Sequence, residues 1–202
     1  MLRPAVAVGS LALLALAPWS LAGRQEEPEY DGKKGSAWVD SLVNDSSARR
    51  RALAVEALAR LWAEKRYKES LPNIGRALRV DSSVAVRAAA AAALGGVKAD
   101  DAVLVAKDLT DALNAEKEAR VRKEIALAIG RYPQAARLAV TALTDALADP
   151  DPGTRAAVAE AIAQAGREAK PAAAGLAPLL ADPDKAVRRG AVIALGRISP
   201  EG

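Results

Sequence analysis

Apolar positions along the chain repeat as a block, and each block contains one arginine that serves as its reference point. The five reference arginines lie 36, 35, 33 and 33 residues apart, at Arg51, Arg87, Arg122, Arg155 and Arg188. In every block an alanine stands six positions after the arginine, a leucine or isoleucine follows it, and an alanine or glycine comes next. Apolar residues three, four and seven positions after an arginine fall on one face of a helix. The pattern therefore predicts one amphipathic helix, called the second helix, in every block.

Another apolar group precedes each reference arginine and predicts a first helix in every block. In the last two blocks it consists of leucines at matching positions: Leu143 and Leu147, then Leu176 and Leu180. Pro178 falls inside the last of these helices and should kink it. A repeat of this length predicts an all-α fold, an α-solenoid of about five helix–turn–helix repeats. The expected repeats cover residues 37–69, 70–100, 101–135, 136–170 and 171–202.

Two segments precede the predicted array. In residues 1–22, Arg3 is followed by an apolar run and then by small residues, which predicts a secretory signal peptide cut after Ala22. The run is shorter than the ~20 residues needed to span a bilayer, so no transmembrane segment is expected after cleavage, although a retained anchor stays open. We therefore expect an exported protein, periplasmic or secreted. Residues 23–36 contain no aliphatic side chain and predict a flexible linker.

Composition excludes several classes of chemistry. The chain has no cysteine and no histidine, so it has no thiolate metal site and no histidine general base. We accordingly expect no catalytic residue, no cofactor and no metal. The 29 basic and 25 acidic residues nearly balance, and such a total does not favour nucleic-acid binding. Only 3% of the residues are aromatic, so the core must be built from small aliphatic side chains.

An acidic residue stands six positions before every reference arginine. The five acids are Asp45, Asp81, Glu116, Asp149 and Asp182. A carboxylate at a helix start accepts hydrogen bonds from free backbone amides there, and an arginine further along the helix can reach the acid of the adjacent repeat. The alternative is an acid/base pair or an anion site, but catalysis needs one unique constellation. Five copies therefore indicate a structural ladder that joins successive repeats.

A valine precedes the reference arginine in three of the five repeats, six residues after an acid. These pairs are Val86-Arg87, Val121-Arg122 and Val187-Arg188. With this pattern the chain resembles HEAT repeats, particularly the short bacterial kind also found in phycobilisome-lyase-like proteins, across residues 37–202. Arg50 and Thr154 replace the valine in two repeats, and Glu116 replaces the aspartate in one. The resemblance implies a ladder of charge-assisted hydrogen bonds between repeats.

The second helices of such a solenoid are expected to line its concave face. Five and nine positions after the reference arginines, off the apolar stripe, several charged residues should be exposed and form a groove of alternating sign. They are Glu56, Glu160, Arg60, Arg131 and Arg197. Two interpretations stay open for them: a strip that binds a partner, or a merely solvated face.

The first repeat differs from the others because it is basic and aromatic. Its distinctive residues are Arg49, Arg50, Arg51, Trp62, Lys65 and Arg66. Such a cluster can bind an extracellular polyanion or another acidic partner. The alternative, which we favour, is that Trp38 and Trp62 cover the exposed end of the array.

At the other end of the array the fifth repeat is not followed by a sixth. Ile193 stands there at the position that Glu56 and Glu160 occupy in other repeats. We therefore hypothesise that the C-terminal end docks on a partner or on a second copy of the chain.

These observations favour an exported, non-enzymatic scaffold or adaptor that binds a protein partner through its concave face. The partner's identity does not follow from the sequence. One alternative is electrostatic binding of a polyanion by the first repeat. Another is a lyase-like accessory enzyme subunit, because lyases share the repeat type, although no unique polar constellation is present.

Overall fold

The computed structural model describes residues 26–199, so the predicted signal peptide lies outside the described residues. These residues form an all-α solenoid of five stacked helical hairpins. The first three hairpins pair α1 (Gly35–Asn44) with α2 (Ala48–Lys65), α3 (Ser70–Val80) with α4 (Val84–Leu94), and α5 (Ala102–Ala115) with α6 (Ala119–Gly130). In the fourth, α7 (Pro133–Leu138) and α8 (Val140–Asp145) precede α9 (Pro152–Ala165); in the fifth, α10 (Ala173–Leu176) precedes α11 (Lys185–Ile198).

The first helices of the last two repeats are broken. Ala139, with φ −99° and ψ 5°, separates α7 from α8. In the fifth repeat, 3-10 turns at Gly166–Ala172 and Ala177–Ala181 flank α10. Pro178 lies in the second of these turns, where its ring and missing N–H oppose a regular helix.

The repeats begin within a few residues of their approximate predicted starts. The first helix of repeat one begins at Gly35 rather than residue 37, and that of repeat four begins at Pro133 rather than residue 136. The fifth repeat begins with the 3-10 turn at Gly166 rather than at residue 171. Proline is well placed in the first turn of a helix because its missing N–H has no helical partner there.

A β-hairpin precedes the array where a flexible linker was expected. Strands β1 (Glu29–Tyr30) and β2 (Lys33–Lys34) pair antiparallel. Between them Asp31 and Gly32 adopt φ of 50° and 70°, the pair of left-handed residues that a tight two-residue hairpin turn requires. The linker prediction is therefore wrong for residues 26–36.

Contacts with the first repeat hold this hairpin in place. The Trp38 indole Nε1 donates to the Tyr30 carbonyl at 2.9 Å, and Lys33 Nζ lies 4.6 Å from the Trp38 ring centre. The Tyr67 hydroxyl donates to Glu27 at 3.3 Å. Aromatic packing and backbone pairing thus order a polar segment that has no aliphatic residue of its own.

Small residues bring neighbouring second helices close together. A Cβ added to Gly95 would lie 2.8 Å from Cβ of Ala128, and one added to Gly130 would lie 3.0 Å from Cα of Ala161. The second helices consequently pack against one another more closely than the first helices do. Since an array is expected to curve with its more closely packed layer inside, we assign the concave face to the second helices. In the described part of the chain, no helix combines the length and apolar character needed to cross a membrane.

Candidate functional site

The acid and arginine columns meet between repeats rather than within them. Each of the first four reference arginines donates from Nε and Nη2 to the carboxylate of the following repeat. The Nε contacts are Arg51–Asp81 at 2.8 Å, Arg87–Glu116 at 2.7 Å, Arg122–Asp149 at 2.6 Å and Arg155–Asp182 at 2.8 Å. The Nη1 of Arg155 donates at 2.8 Å to the backbone carbonyl of Asp149 in its own repeat. Each guanidinium therefore ties two consecutive turns together.

The two aspartates of each Asp-Pro-Asp motif have different partners. Asp149 accepts the backbone N–H of Asp151 at 2.8 Å and receives Arg122 on the same carboxylate. Asp151 is the residue that caps α9, because its carboxylate accepts the N–H of Thr154 at 2.7 Å. The first aspartate thus joins the repeats, and the second satisfies a free amide of the helix start.

At three of the four joints the arginine helps to lower the pKa of the carboxylate that it holds. Burial is the largest influence on Asp81 and raises its pKa, but hydrogen bonds from Arg51 and a backbone N–H together outweigh burial and lower the pKa. The pKa of Glu116 is lowered by the same balance, with Arg87 as the donor. Hydrogen bonding from Arg155 is the main cause of the lowered pKa of Asp182. A doubly held carboxylate that stays ionised near neutral pH suits a joint and not proton transfer.

The two ends of the ladder differ. Among the described residues, no repeat precedes Asp45 to supply an arginine. Arg50 of its own repeat pairs with Asp45 instead, with Nε 2.6 Å from the carboxylate. Arg188 keeps its bonds to the carbonyls of Asp182 and Pro183, at 2.8 and 2.9 Å. Among residues 26–199, however, no carboxylate lies within 4.0 Å of the Arg188 guanidinium. Among the described residues, the Asp45 end of the ladder is therefore paired, and the Arg188 end, which we call the open joint, has no carboxylate partner.

Clefts recur beside the first three joints. They measure about 340, 390 and 350 Å³ and border the Arg51, Arg87 and Arg122 pairs respectively. Because equivalent residues line the same place at successive joints, stacking explains these clefts, and none of them is a unique site.

A different groove lies on the concave face, across α6, α9 and α11. Leu127 and Ile193 are its apolar side chains, and Lys123, Arg189 and Glu160 are its charged ones. The remaining lining residues are small: Gly153, Ala156, Ala157, Ala186 and Gly190. The groove has a volume of about 190 Å³. Small residues make it shallow and accessible, so it is the candidate binding surface of the molecule; we call it the concave groove.

The charged positions predicted off the apolar stripe are exposed. They are Glu56, Arg60, Arg131, Glu160 and Arg197. Glu160 lines the concave groove, and Arg49 and Lys65 of the first repeat are also exposed. Ile193, which stands in the same column as Glu56 and Glu160, also lies in the concave groove, in the fifth repeat.

Trp62 and Arg66, assigned to partner binding from the sequence, contact Asp101 inside the chain. Arg66 donates from both terminal nitrogens to this carboxylate, and Trp62 Nε1 donates to it at 3.0 Å. The guanidinium also lies 4.1 Å from the centre of the indole ring. Asp101 is 4% exposed, and hydrogen bonding from Arg66 lowers its pKa although burial opposes this. The cluster ties repeat one to repeat three, and the Arg66 side chain stays 51% exposed, so partner binding by Trp62 and Arg66 remains a prediction.

Arg50 also pairs within the chain, with Asp45, but its side chain stays 63% exposed, so its role in partner binding remains a prediction. Arg51 belongs to the ladder. For metal binding, the described residues contain no group of three or more acidic, histidine or cysteine side chains arranged to hold an ion.

Known proteins with the same architecture are helical repeat proteins. An engineered protein superposes with a TM-score of 0.64 at 20% identity, covering 82% of this chain and 79% of its own. A designed armadillo repeat protein in complex with the peptide (KR)4 gives a TM-score of 0.62 at 21% identity, covering 81% of each chain. An archaeal HEAT-like repeats protein from Thermococcus onnurineus NA1 gives 0.53 at 16% identity, covering 85% of this chain and 67% of its own.

Among curated proteins, no sequence matches the chain. The family model for HEAT repeats matches residues 35–130 and 140–202, which is more than half of the sequence. These two segments include all five reference arginines and all five acids of the ladder. The protein is therefore a member of the HEAT repeat family.

Proposed function

We propose that this protein is an exported, non-enzymatic scaffold or adaptor that binds a segment of a partner protein in the concave groove. One observation carries the proposal: Ile193, 42% exposed, and Leu127 present apolar side chains beside a floor of small residues. Ordinary solvated helix faces present charged or polar groups at such positions. An apolar strip above a shallow floor of small residues allows the main chain of a bound segment to approach the helices closely.

The structural neighbours support a peptide-binding mode for this fold. One designed armadillo repeat protein was solved in complex with the peptide (KR)4, and others were designed for modular peptide recognition. Their identity to this chain is 21–22%, so the support extends to the architecture and not to the residues of the groove.

The first repeat supports polyanion binding less well. Arg50, Arg51 and Arg66 each hold a carboxylate of the chain, which neutralises most of the cluster. Arg49 and Lys65 have no carboxylate within 4.0 Å among the described residues, and two separated cations make a weak anion site.

Site-directed photocrosslinking tests the groove. We would place a photoreactive residue at Glu160 in the groove, and a matched one at Leu104, which is 60% exposed on the first helix of repeat three. The proposal expects one discrete protein to be captured from the exported fraction at position 160 and not at position 104. Ile193→Asp should abolish the capture without lowering the melting temperature. Equal capture at both positions, or capture that survives Ile193→Asp, would contradict the proposal.

Export is a separate part of the proposal and rests on the apolar run in residues 1–22. N-terminal sequencing of protein recovered from the exported fraction tests it. Mature protein beginning at Gly23 supports export by a cleaved signal peptide, whereas intact protein confined to the cytoplasm contradicts it.

A second proposal, self-association, concerns the C-terminal end. Val192 is 60% exposed, whereas the equivalent residue of every other repeat is fully buried: Val55, Ala91, Ala126 and Ala159. Leu180, 44% exposed, adds to this apolar surface beside the open joint at Arg188. This end thus resembles a repeat interface that nothing covers among residues 26–199, and we propose that a second copy of the chain packs on it.

A further inference from the structure

Charge is unevenly distributed along the concave face. The positions that line the groove stand two before, one after, two after and five after the reference arginines, and the position nine after lies one turn further along the same face. In repeats three to five, the charged residues at these positions are Arg120, Lys123, Glu124, Arg131, Glu160, Arg189 and Arg197. Five cations therefore face two carboxylates.

These five cations are not neutralised within the described chain. All five side chains are exposed, and none lies within 4.0 Å of a carboxylate among residues 26–199. The arginines of the first four joints, in contrast, each hold a carboxylate at 2.6–2.8 Å. The surplus on this surface is consequently available to a ligand, and the surrounding low-dielectric walls strengthen its field.

The charge surplus coincides with the apolar groove and not with the whole face. At the same positions, repeat one holds the charged residues Arg49, Glu56 and Arg60, and repeat two holds no charged residue. The full sequence has a net charge of only +4. The excess of positive charge at these positions within repeats three to five is thus comparable to the net charge of the whole chain.

We infer that the concave groove binds an acidic, extended protein segment. Its carboxylates contact Lys123 and Arg189 on either side of the groove, and an apolar side chain between them packs on Leu127 and Ile193. The inference rests on the proposed function and adds the chemistry of the partner. The sign is opposite to that of (KR)4, the basic peptide bound by the designed armadillo neighbour.

The details of the groove favour an acidic peptide over a uniform polyanion. Glu160 lines the groove together with Lys123 and Arg189 and repels a chain that is charged at every unit. A peptide can present an uncharged residue at that point, and its apolar side chains complement Leu127 and Ile193. Nucleic acids and sulfated polysaccharides offer neither feature.

The test measures binding of defined peptides to the purified protein by fluorescence anisotropy. The probes are labelled (EL)4 and (KL)4, which share apolar residues and differ in sign, with heparin as the polyanion. We expect (EL)4 to bind, (KL)4 not to bind, and (EL)4 affinity to fall as ionic strength rises from about 0.05 to about 0.5 M. The double variant Lys123→Glu, Arg189→Glu should lose about tenfold or more in (EL)4 affinity.

Lys107→Glu is the matched control, because Lys107 is an exposed lysine on the first helix of repeat three, 83% exposed in its side chain. It should leave (EL)4 affinity unchanged. Glu160→Gln should raise (EL)4 affinity, and Ile193→Asp should lower it. Melting curves of each variant confirm that the fold is retained.

Several results would overturn the inference. The first two are equal binding of (EL)4 and (KL)4, and failure of both peptides to bind. The third is (EL)4 binding that persists in the double charge-reversal variant. The fourth is heparin that displaces (EL)4 and binds equally well to Ile193→Asp. If (KL)4 binds and Ile193→Asp abolishes that binding, the groove still binds protein and only its acidic preference is wrong. Loss of the crosslink at Glu160 in the exported fraction would instead remove the proposed function itself.

Discussion

Arg87 of the second repeat holds Glu116 of the third in a two-pronged contact, with Nε at 2.7 Å and Nη2 at 3.0 Å. The two residues are 29 positions apart in sequence, and both side chains are largely buried, 15% and 6% exposed. Because the carboxylate also accepts two backbone N–H groups, the pair fixes the turn of one repeat against the helix of the preceding one. Similar pairs at the other joints make this contact the unit from which the array is assembled.

The first prediction concerns this joint. Arg87→Ala leaves the Glu116 carboxylate buried without its charged donor, and we expect the free energy of unfolding to fall by about 1–3 kcal/mol. The control is Lys107→Ala, which removes an exposed pair with Asp111 on one helix and should cost about 0.5 kcal/mol or less. Urea unfolding monitored by circular dichroism measures both. Equal effects of the two substitutions would contradict the structural role of the ladder.

Acid should weaken the ladder. The folded protein lowers the pKa of Asp81, Glu116 and Asp182 below the ordinary values of 3.8 for aspartate and 4.5 for glutamate. A lowered pKa stabilises the fold above the ordinary pKa, and this stabilisation disappears as the pH falls through the folded value. We therefore expect the free energy of unfolding to drop as the pH falls below about 4.5.

Between about pH 5.5 and 8 the chain has no histidine to titrate, so its stability should change little. Urea unfolding across the pH range measures the profile. In Arg87→Ala the drop at acid pH should be smaller, because Glu116 no longer has its guanidinium partner. An identical acid dependence in wild type and variant would refute the assignment.

Two equivalent glycines distinguish a closed joint from the open one. Gly95 and Gly196 both stand eight positions after a reference arginine, but a Cβ on Gly95 would meet Ala128 at 2.8 Å, whereas one on Gly196 meets nothing within 4 Å. Gly95→Ala should destabilise by about 1–3 kcal/mol through overpacking. Gly196→Ala should stabilise by up to about 1 kcal/mol, because alanine is the better helix former. Thermal melting of the pair tests this, and destabilisation by Gly196→Ala would show that the end is covered.

Self-association should depend on Val192. We expect light scattering to show a mass that rises with protein concentration and that Val192→Glu returns to the monomer value. Val103→Glu is the control, since Val103 is similarly exposed, at 56%, on the first helix of repeat three. A wild-type protein that stays strictly monomeric at high concentration would rule out the second copy as the partner of this end.

The ladder could be predicted from the sequence because every repeat forms the same interface with equivalent residues. The periodic columns gave the five hairpins, the second-helix layer and the acid–arginine positions. Contacts that occur in only one repeat could not be predicted in this way. Trp62 and Arg66 reach Asp101 across 39 and 35 residues, outside any column, so no periodic signal connects them.

The hairpin was missed for a different reason. Asp31 and Gly32 are residue types that favour a tight turn, but the two flanking strands are only two residues long and carry no alternating apolar pattern. Their order comes from Trp38 and Tyr67, which belong to the first repeat.

In this protein, the ladder builds the array, and we propose that the concave groove binds the partner. The most direct measurement compares Arg87→Ala and Ile193→Asp in two assays: urea unfolding, and the yield of the crosslink from a photoreactive residue at position 160 to the exported partner. We predict that Arg87→Ala loses stability and retains the crosslink under native conditions, while Ile193→Asp retains stability and loses the crosslink. Loss of the crosslink in Arg87→Ala at full stability, with an undiminished crosslink in Ile193→Asp, would contradict the account.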